Sequence, residues 1–374
     1  MMKNMRIDKT WIWGLLAILA LGGVVWWSQN RTPGITDQPK IGGLFALTGY
    51  ASFAGEASRD GFLMAIEDSG FDVDYVVEDF QSDTKTLATA SSKLINVDQV
   101  PVIIGPEWAE FGEVIVPTAT ERKVLFISPW MVSEGKNWDS NYYFSATPSE
   151  RGHIRKILDH MKTQGVKSIA LLYSNNGWSF GHVDVLKDEL KKTDIKIAGE
   201  FRVNEGVADF RTEISRINGL KADALYTAIS TDNDEGVFDK QLKELGVDLP
   251  HYMPYARAES NVFLSQFGQY AKGIIYPASS EYKNMDAFRE KYKERFGKEP
   301  GALSAATAYD MTTLVLRAIK DGARTSDDIR QYLLSVKDYD GYSNKITFNK
   351  NRQVAEEKVI LKRITGSAPE IVAE

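Results

Sequence analysis

The sequence predicts an α/β protein built from two mainly parallel sheets, each flanked by helices. Short apolar runs alternate with amphipathic stretches of about 10–15 residues, which is the pattern of βαβ units. The pattern starts at Ile41 and begins again after Phe144, and a chain of 374 residues is long enough for two domains of ordinary size. Each half opens with a strand, a glycine-containing loop and a helix, so we expect two domains of similar architecture.

The stretch from Val102 to Trp130 shows one such unit most clearly. Val102–Ile104 is a β-branched run between a proline and a glycine, which predicts a buried parallel strand. Glu110–Thr120 carries apolar residues at helical spacing, and Val124–Ile127 is a second apolar run. The unit is therefore predicted to be a strand, a loop, a helix and a second strand.

The loops that follow these two strands are predicted to form half of a ligand site, because small ligands bind outside the carboxyl ends of strands in open parallel sheets. The first loop contains Glu107 and Trp108, and the second contains Ser128 and Trp130. A carboxylate, a hydroxyl and two indole rings can all hold a small molecule, so these four residues are candidate contacts. Phe53, in the glycine-bounded loop 48–55, is a fifth candidate.

The same periodicity criteria assign the other elements in chain order. In the first half they predict strands at Ile41–Leu47 and Val73–Val77, and helices at Glu56–Ser69 and Thr84–Asn96, and the pattern restarts after Tyr142–Phe144. Later strands are predicted at Ser168–Tyr173, Ile195–Phe201, Ala224–Ile229, Pro250–Pro254 and Gly273–Pro277. Later helices are predicted at Ser149–Gln164, His182–Lys192, Asp209–Asn218, Glu235–Leu245, Asp286–Phe296, Ser304–Asp321 and Ser326–Val336. Ser174–Gly181 is predicted to be a loop, and Ile346–Phe348 and Glu357–Ile364 a closing pair of strands.

The N-terminal residues 1–28 are predicted to be a membrane anchor. An uncharged apolar run from Thr10 to Ser28 follows three basic residues and carries a tryptophan pair at each end. The basic residues place the rest of the chain outside the membrane. A cleaved signal peptide is the competing interpretation. Residues 29–40 are polar, contain two prolines and are predicted to be a tether.

The composition excludes several classes of function. The net charge is −6 without a block of lysine and arginine, so nucleic acid is not an expected partner. The chain has no cysteine, which excludes disulfides, thiolate metal sites and a cysteine nucleophile. Its four histidines are scattered and show no metal-ligand spacing, and no dinucleotide or P-loop fingerprint is present. We therefore expect no metal and no cofactor.

A series of short motifs between about Lys40 and Ile364 resembles the branched-chain amino-acid binding proteins, the type I solute-binding proteins of ABC transporters. The motifs are Lys40–Gly49 followed by Gly55, Glu78-Asp79, Ile104–Pro106, Ile127–Pro129, Asn176–Gly181, Asp209-Phe210, Gln241 with Gly246, and Ala308–Asp310. The resemblance implies two lobes that close by a hinge on a solute, an ABC permease as partner and no catalytic machinery. It divides the chain into lobe 1, residues 41–148 with about 278–340, and lobe 2, residues 149–277 with about 341–366.

The same resemblance implies a second half of the ligand site, which would close over the solute. The family's aromatic clamp falls on Trp178, and further positions fall on Asp232 and Arg257. Val132 stands where the family has a threonine, and Ala256-Arg257 stands near its acidic ammonium ligand. These departures argue against an ordinary α-amino acid. The three indoles favour a flat, apolar or cationic ligand, whereas Arg257 favours a carboxylate, and both remain open.

Two other functions are compatible with parts of the sequence. The same fold could be the ectodomain of a sensor that reports a ligand to a partner protein. Gly177–Gly181 also fits G-x-S-x-G, the nucleophile elbow of α/β-hydrolases, with Ser179 as the nucleophile. The later histidines His182 and His251 are poorly placed for the base of such a triad, so the hydrolase is the remoter alternative.

Overall fold

The computed structural model describes residues 40–130, 140–258, 260–279, 282–355, 358–366 and 369–373, and its residues form two large sheets. The first sheet has the strand order β2-β1-β3-β4-β5, and all of its pairings are parallel. Its strands are β1 (Lys40–Phe45), β2 (Asp74–Asp79), β3 (Val102–Ile104), β4 (Leu125–Ser128) and β5 (Tyr143–Ser145).

Helices cover both faces of the first sheet, which is why its inner strands β1, β3 and β4 are largely apolar and buried, whereas the edge strand β2 is polar and partly exposed. Side chains alternate between the faces, so Ile103 packs in one core and Ile104 in the other. The helices associated with this sheet are α1 (Ser52–Ser69), α2 (Thr84–Asn96), α3 (Ala109–Arg122), α10 (Met285–Phe296), α11 (Ser304–Lys320) and α12 (Ser326–Ser335). Helix α2 is capped by Asp83, whose carboxylate accepts from the Thr86 N–H at 2.8 Å.

The second sheet is mixed and has seven described strands. It is parallel where sequential βα units build it and antiparallel at one edge, where the chain returns to it. In spatial order its strands are β14 (Pro369–Ala373), β13 (Val359–Ile364), β10 (Ile275–Ser279), β9 (His251–Tyr252), β8 (Ala224–Ala228), β6 (Ser168–Ser174) and β7 (Lys196–Val203).

Helices also pack on both faces of the second sheet. They are α4 (Arg151–Thr163), α5 (Gly177–Leu190), α6 (Arg211–Leu220), α7 (Asp232–Glu244), α8 (Tyr255–Ala258) and α9 (Asn261–Phe267). Helices α4 and α5 share one core with β6 and β8, whereas α6 and α7 share a core on the opposite face. The predicted α/β class with parallel-rich sheets is confirmed.

Two of the sequence assignments in the second half are wrong. Helix α5 begins at Gly177 and not at His182, because the Asn176 side chain accepts from the Ser179 N–H at 2.9 Å and caps the helix there. The predicted closing pair of strands does not form. Ile346 lies in β12 (Lys345–Ile346), which pairs with β11 (Tyr339–Asp340), whereas β13 pairs with β10 and β14.

The chain returns to the second sheet later than the predicted lobe boundary. Residues 341–354 were assigned to lobe 2, yet Ile346, Phe348 and Val354 belong to the core of the first sheet. Ser145 and Gln353 also form a parallel bridge at the edge of that sheet. Apolar packing therefore keeps this segment with the first sheet until shortly before β13.

The predicted N-terminal anchor and tether, residues 1–28 and 29–39, lie outside the described residues, as does Val132. Within the described part of the chain, none of the helices combines the length and the apolar character that a membrane crossing requires.

Helices α1 and α11 pack closely together at Gly61. A Cβ atom on Gly61 would lie 2.0 Å from the carbonyl oxygen of Ala305, and neither backbone can move away without disturbing the buried interface. Gly61→Ala is therefore expected to destabilise the fold by about 1–3 kcal/mol, as overpacking usually does. Urea unfolding followed by circular dichroism measures this change.

The matched control is Gly219→Ala in α6, where no described atom lies within 4 Å of the added Cβ. There the better helix propensity of alanine should leave stability unchanged or raise it by up to about 1 kcal/mol. Equal effects of the two substitutions would show that the α1–α11 contact does not limit the space at Gly61.

Candidate functional site

The two loops singled out in the sequence meet at the carboxyl end of the first sheet. The Gly105 N–H donates to Ile127 O at 2.8 Å, and the Trp108 N–H donates to Trp130 O at 2.8 Å. The Ser128 hydroxyl is buried and donates to Pro106 O at 2.7 Å. These three hydrogen bonds hold the loops together, so the predicted proximity of their residues is observed.

Glycine is required at position 105 for this arrangement. Its φ is +110°, and a Cβ atom there would lie 2.0 Å from the Leu44 carbonyl oxygen. The close approach to β1 brings the β3 loop under the start of α1. Trp108 is the N-cap of α3 and also has a positive φ, +67°.

The Trp108 ring is the centre of an aromatic cluster. Its centroid lies 5.8 Å from that of Tyr50, 5.9 Å from that of Phe53 and 6.3 Å from that of Phe111. Tyr50 is 64% exposed and Phe53 is 50% exposed, so two of these rings present their faces to solvent. We call Tyr50, Phe53 and Trp108 the aromatic patch. Rings held this way at the strand ends offer a preformed apolar surface to a solute.

Glu107, the residue before Trp108, lies in the interior and not on the loop surface. Its side chain is fully buried, and neither carboxylate oxygen makes a hydrogen bond with a described residue. Burial raises the pKa of Glu107 to about 7, although the nearby Ser58 hydroxyl and Ala46 N–H favour the ionised form. The Glu107 carboxyl therefore titrates near neutral pH.

Trp178, the candidate of the second sheet, lies in the first turn of α5 and is half-buried. Its ring stacks on that of His182 at 5.9 Å, and His182 stacks on Tyr226 at 5.8 Å. His182 is held at both ring nitrogens, by Glu150 at 2.7 Å and by the Tyr226 hydroxyl at 2.7 Å. The stacked rings of His182 and Tyr226 fix the orientation of the Trp178 ring.

Asp232 and Arg257 also follow strands of the second sheet. Asp232 is the first residue of α7, which Thr231 caps, and its carboxylate accepts a hydrogen bond from the Ser260 hydroxyl. Arg257 lies in α8, and its side chain is outside the described part of the chain.

Helices α3 and α5 bring the two halves of the candidate site into proximity. Helix α3 starts directly after Trp108, helix α5 carries Trp178, and the two helices contact each other. The carboxyl ends of β3 and β6 therefore open toward a shared region between the sheets.

Two surface depressions of the molecule lie away from this region. Depressions of about 440 and 430 Å³ occur at the amino-terminal end of the second sheet, where they are lined by residues that precede its strands, including Val166, Asp194, Asp223 and Pro250. That edge is opposite to Trp178 and Asp232. We identify the candidate site from the convergence of the strand-end loops because ligands of such sheets bind at the carboxyl edge.

Sequence reasoning missed two contributors to the site. Tyr50 lies three residues before Phe53, and this spacing around a helix start was an available signal for two rings on one side. The Glu150–His182–Tyr226 support of Trp178 had no sequence signal, because its members come from three separate elements.

The hydrolase alternative based on Ser179 is wrong. The Ser179 side chain is fully buried, and its hydroxyl donates to Ala228 O at 2.9 Å. His182 cannot act as its base because both ring nitrogens are engaged by Glu150 and Tyr226. The G-x-S-x-G match therefore begins a capped helix and does not form a nucleophile elbow.

Two parallel-rich α/β sheets with helices on both faces are the architecture of solute-binding proteins. The family model for periplasmic binding proteins matches residues 38–368, and the chain belongs to that family. This confirms the resemblance that the sequence motifs indicated.

Relatives and solved structures agree with this assignment. The chain is 22% identical to a leucine-, isoleucine-, valine-, threonine- and alanine-binding protein of Pseudomonas aeruginosa, over 82% of this chain and 83% of that protein. It is 24% identical to glutamate receptor 2.2 of Arabidopsis thaliana over 66% of this chain, but the match spans only 28% of that receptor.

Among solved structures, the fold is similar to that of LivJ, a branched-chain amino acid transporter substrate binding protein from Streptococcus pneumoniae, in complex with isoleucine. The TM-score is 0.73 with 22% identity, covering 90% of this chain and 100% of that one. For the leucine binding protein LivK of Thermotoga maritima the TM-score is 0.74 with 20% identity, covering 90% and 98% of the two chains. At this identity the likeness describes the fold.

The buried Glu107 should make stability depend on pH. Its pKa is about 7 in the folded protein and near 4.5 in the unfolded chain, so folding is favoured most below about pH 4.5. The contribution is lost as pH rises through 7, and the loss amounts to roughly 3 kcal/mol. Glu107→Gln should therefore gain stability relative to the parent by about that amount between pH 4.5 and pH 8.

Urea unfolding of both proteins at intervals between these pH values measures the difference. Glu121→Gln, on the exposed face of α3, is the matched control and should track the parent at every pH. A constant difference between Glu107→Gln and the parent across the range would contradict a carboxyl that titrates near 7.

Proposed function

We propose that this chain is an extracytoplasmic solute-binding protein that captures a small amino acid or a related organic solute between its two sheets. The observation that carries the proposal is the aromatic patch at the carboxyl end of the first sheet, beside a helix that contacts the Trp178-bearing helix of the second. The family, whose members are extracytoplasmic, supports the same function and location.

The path of the chain supports a division into two lobes that close on the solute. It passes from the first sheet to the second after β5, returns to the first after β10 and leaves it again before β13. Segments that connect two rigid α/β units in this way can act as a hinge. In this proposal residues 341–354 remain with lobe 1, and lobe 2 resumes at β13.

Each lobe would contribute different groups to the solute. Phe53, Trp108 and Trp130 would provide aromatic surface from lobe 1, with Ser128 fixing the loop geometry. Trp178 and Asp232 would close over the solute from lobe 2, and Arg257 would join them. Contacts that form only in the closed state shift the open–closed equilibrium in proportion to the affinity they add.

Glu107 would act on the site from the interior and not by direct contact, since its side chain is buried. An unpaired carboxylate on the residue before Trp108 makes the potential there more negative when ionised, and buried charges are weakly screened. This favours a solute with an ammonium group over a purely anionic one. The proposed partner of the closed form is an ABC permease, with residues 1–28 as the membrane anchor and 29–40 as the tether.

The aromatic patch can be tested with a pair of phenyl rings of equal exposure. Phe53 is 50% exposed at the carboxyl end of the first sheet, and Tyr75 is 49% exposed near the amino end of β2. Calorimetric titration with branched-chain amino acids, threonine, alanine, glutamate, aromatic amino acids and quaternary amines should identify a binding solute. Phe53→Ala and Trp108→Ala should then weaken its binding by about tenfold or more, which is about 1.4 kcal/mol.

Tyr75→Ala should bind the same solute with the affinity of the parent. If Trp108→Ala and Phe53→Ala also bind like the parent while remaining folded, the ligand does not contact the aromatic patch. If no solute of these classes binds the parent, the proposed substrate class is wrong.

A sensor ectodomain is the second candidate, favoured by the match to plant glutamate receptors. Deletion of the gene distinguishes the two functions. Deletion should abolish uptake of the labelled solute if the chain serves a permease. Retained uptake together with a lost transcriptional response to the same solute would assign it to a sensor.

A further inference from the structure

Three metal-ligating side chains lie together in the core of the second sheet, away from the candidate solute site. Glu235 and Asp239 lie one turn apart on α7, and His251 is the first residue of β9. They are 0%, 2% and 7% exposed, and one ligating atom from each lies within 4.8 Å of the others. We call these residues the buried triad.

Thr227 determines which ring nitrogen of His251 carries the proton. The Thr227 hydroxyl donates to Glu235 Oε1 at 2.8 Å, so its oxygen must accept from His251 Nε2 at 2.9 Å. Nδ1 is then the bare nitrogen, and it lies 3.5 Å from Asp239 Oδ1. Two lone-pair acceptors therefore face each other across a gap that a shared proton or a cation would bridge.

The described residues provide no such cation. Neither oxygen of Asp239 makes a hydrogen bond, and no described lysine or arginine pairs with it. Burial, with the charge of Glu235 beside it, raises the pKa of Asp239 well above its usual range.

The geometry points to a divalent metal ion, and we propose that Glu235, Asp239 and His251 bind Zn²⁺. One imidazole and two carboxylates are a known Zn²⁺ donor type, and two carboxylate charges neutralise the ion. Bonds of about 2.0–2.2 Å fit donor atoms this close after small side-chain rotations, with water completing the coordination. Thr227 would act behind the ligands, holding Glu235 and His251 in orientation.

The buried triad borders a surface depression through His251. His251 lines the depression of about 430 Å³ at the amino end of the second sheet, together with Pro250 and Tyr252. A cation that enters this depression would meet His251 first. Because this edge lies opposite to the strand ends that carry Trp178, the ion would stabilise the lobe and not contact the solute.

The test is calorimetric titration of Zn²⁺ into the purified full chain after EDTA treatment and dialysis. We expect one tightly bound Zn²⁺ per chain, a higher melting temperature with Zn²⁺, and visible d–d absorption of a tetrahedral ion when Co²⁺ replaces it. Asp239→Asn keeps the shape of the side chain and removes the charge, and it should weaken Zn²⁺ binding at least 100-fold. Thr227→Val should weaken it about 10–100-fold, as loss of an outer partner does.

His160→Gln is the matched control, because His160 lines the same depression without belonging to the triad. It should bind Zn²⁺ like the parent. The proposal is overturned if the parent binds no Zn²⁺, or if Asp239→Asn and Thr227→Val bind it as tightly as the parent does. It is also overturned if Asp239→Asn is more stable than the parent in EDTA while Zn²⁺ shifts the melting of neither, since a shared proton would then occupy the gap.

Discussion

Three hydrogen bonds between the ends of β3 and β4 support the whole first half of the candidate site. They join Gly105 to Ile127, Trp108 to Trp130 and Ser128 to Pro106, all at 2.7–2.8 Å. Parallel strands leave their final main-chain groups unpaired, and here each loop satisfies those of the other. These bonds hold the Trp108 backbone at a positive φ, and the rings of Tyr50 and Phe53 pack around the Trp108 ring.

Two buried acidic residues, Glu107 and Asp310, differ in their hydrogen bonding. Glu107 lies in the interior without a hydrogen-bond partner among the described residues, which costs stability whenever it is ionised. Asp310, which is equally buried, accepts from the Tyr342 and Ser343 main chain at 2.9 and 2.7 Å and so secures the segment that follows α12. A partnered buried acid of this kind organises structure. An unpartnered one with a strongly raised pKa is more often found at a functional site.

The second sheet contains two histidines in contrasting environments. His182 has Glu150 on one nitrogen and the Tyr226 hydroxyl on the other, so its hydrogen bonds are complete and its ring supports Trp178. His251 has Thr227 on one nitrogen and faces Asp239 with the other. The first arrangement orients a ring near the solute site, and the second leaves a gap of suitable chemistry for a cation. His182 of α5 contacts Glu150, at the start of α4, and Tyr226 of β8. His251 of β9 contacts Thr227 of β8 and faces Asp239 of α7.

The sequence by itself determined the α/β class, most of the strands and the pairing of the two loops after β3 and β4, because these follow from local periodicity and from the rule that parallel strands end at one edge. It misplaced the start of α5, since a single Asn176 cap outweighed the glycines at 177 and 181. No local pattern indicated that Glu107 is buried, that aromatic rings surround Trp108 or that His251 lies beside Asp239. Those arrangements join residues far apart in the chain, and their free energies arise from burial and long-range contacts that no local pattern records.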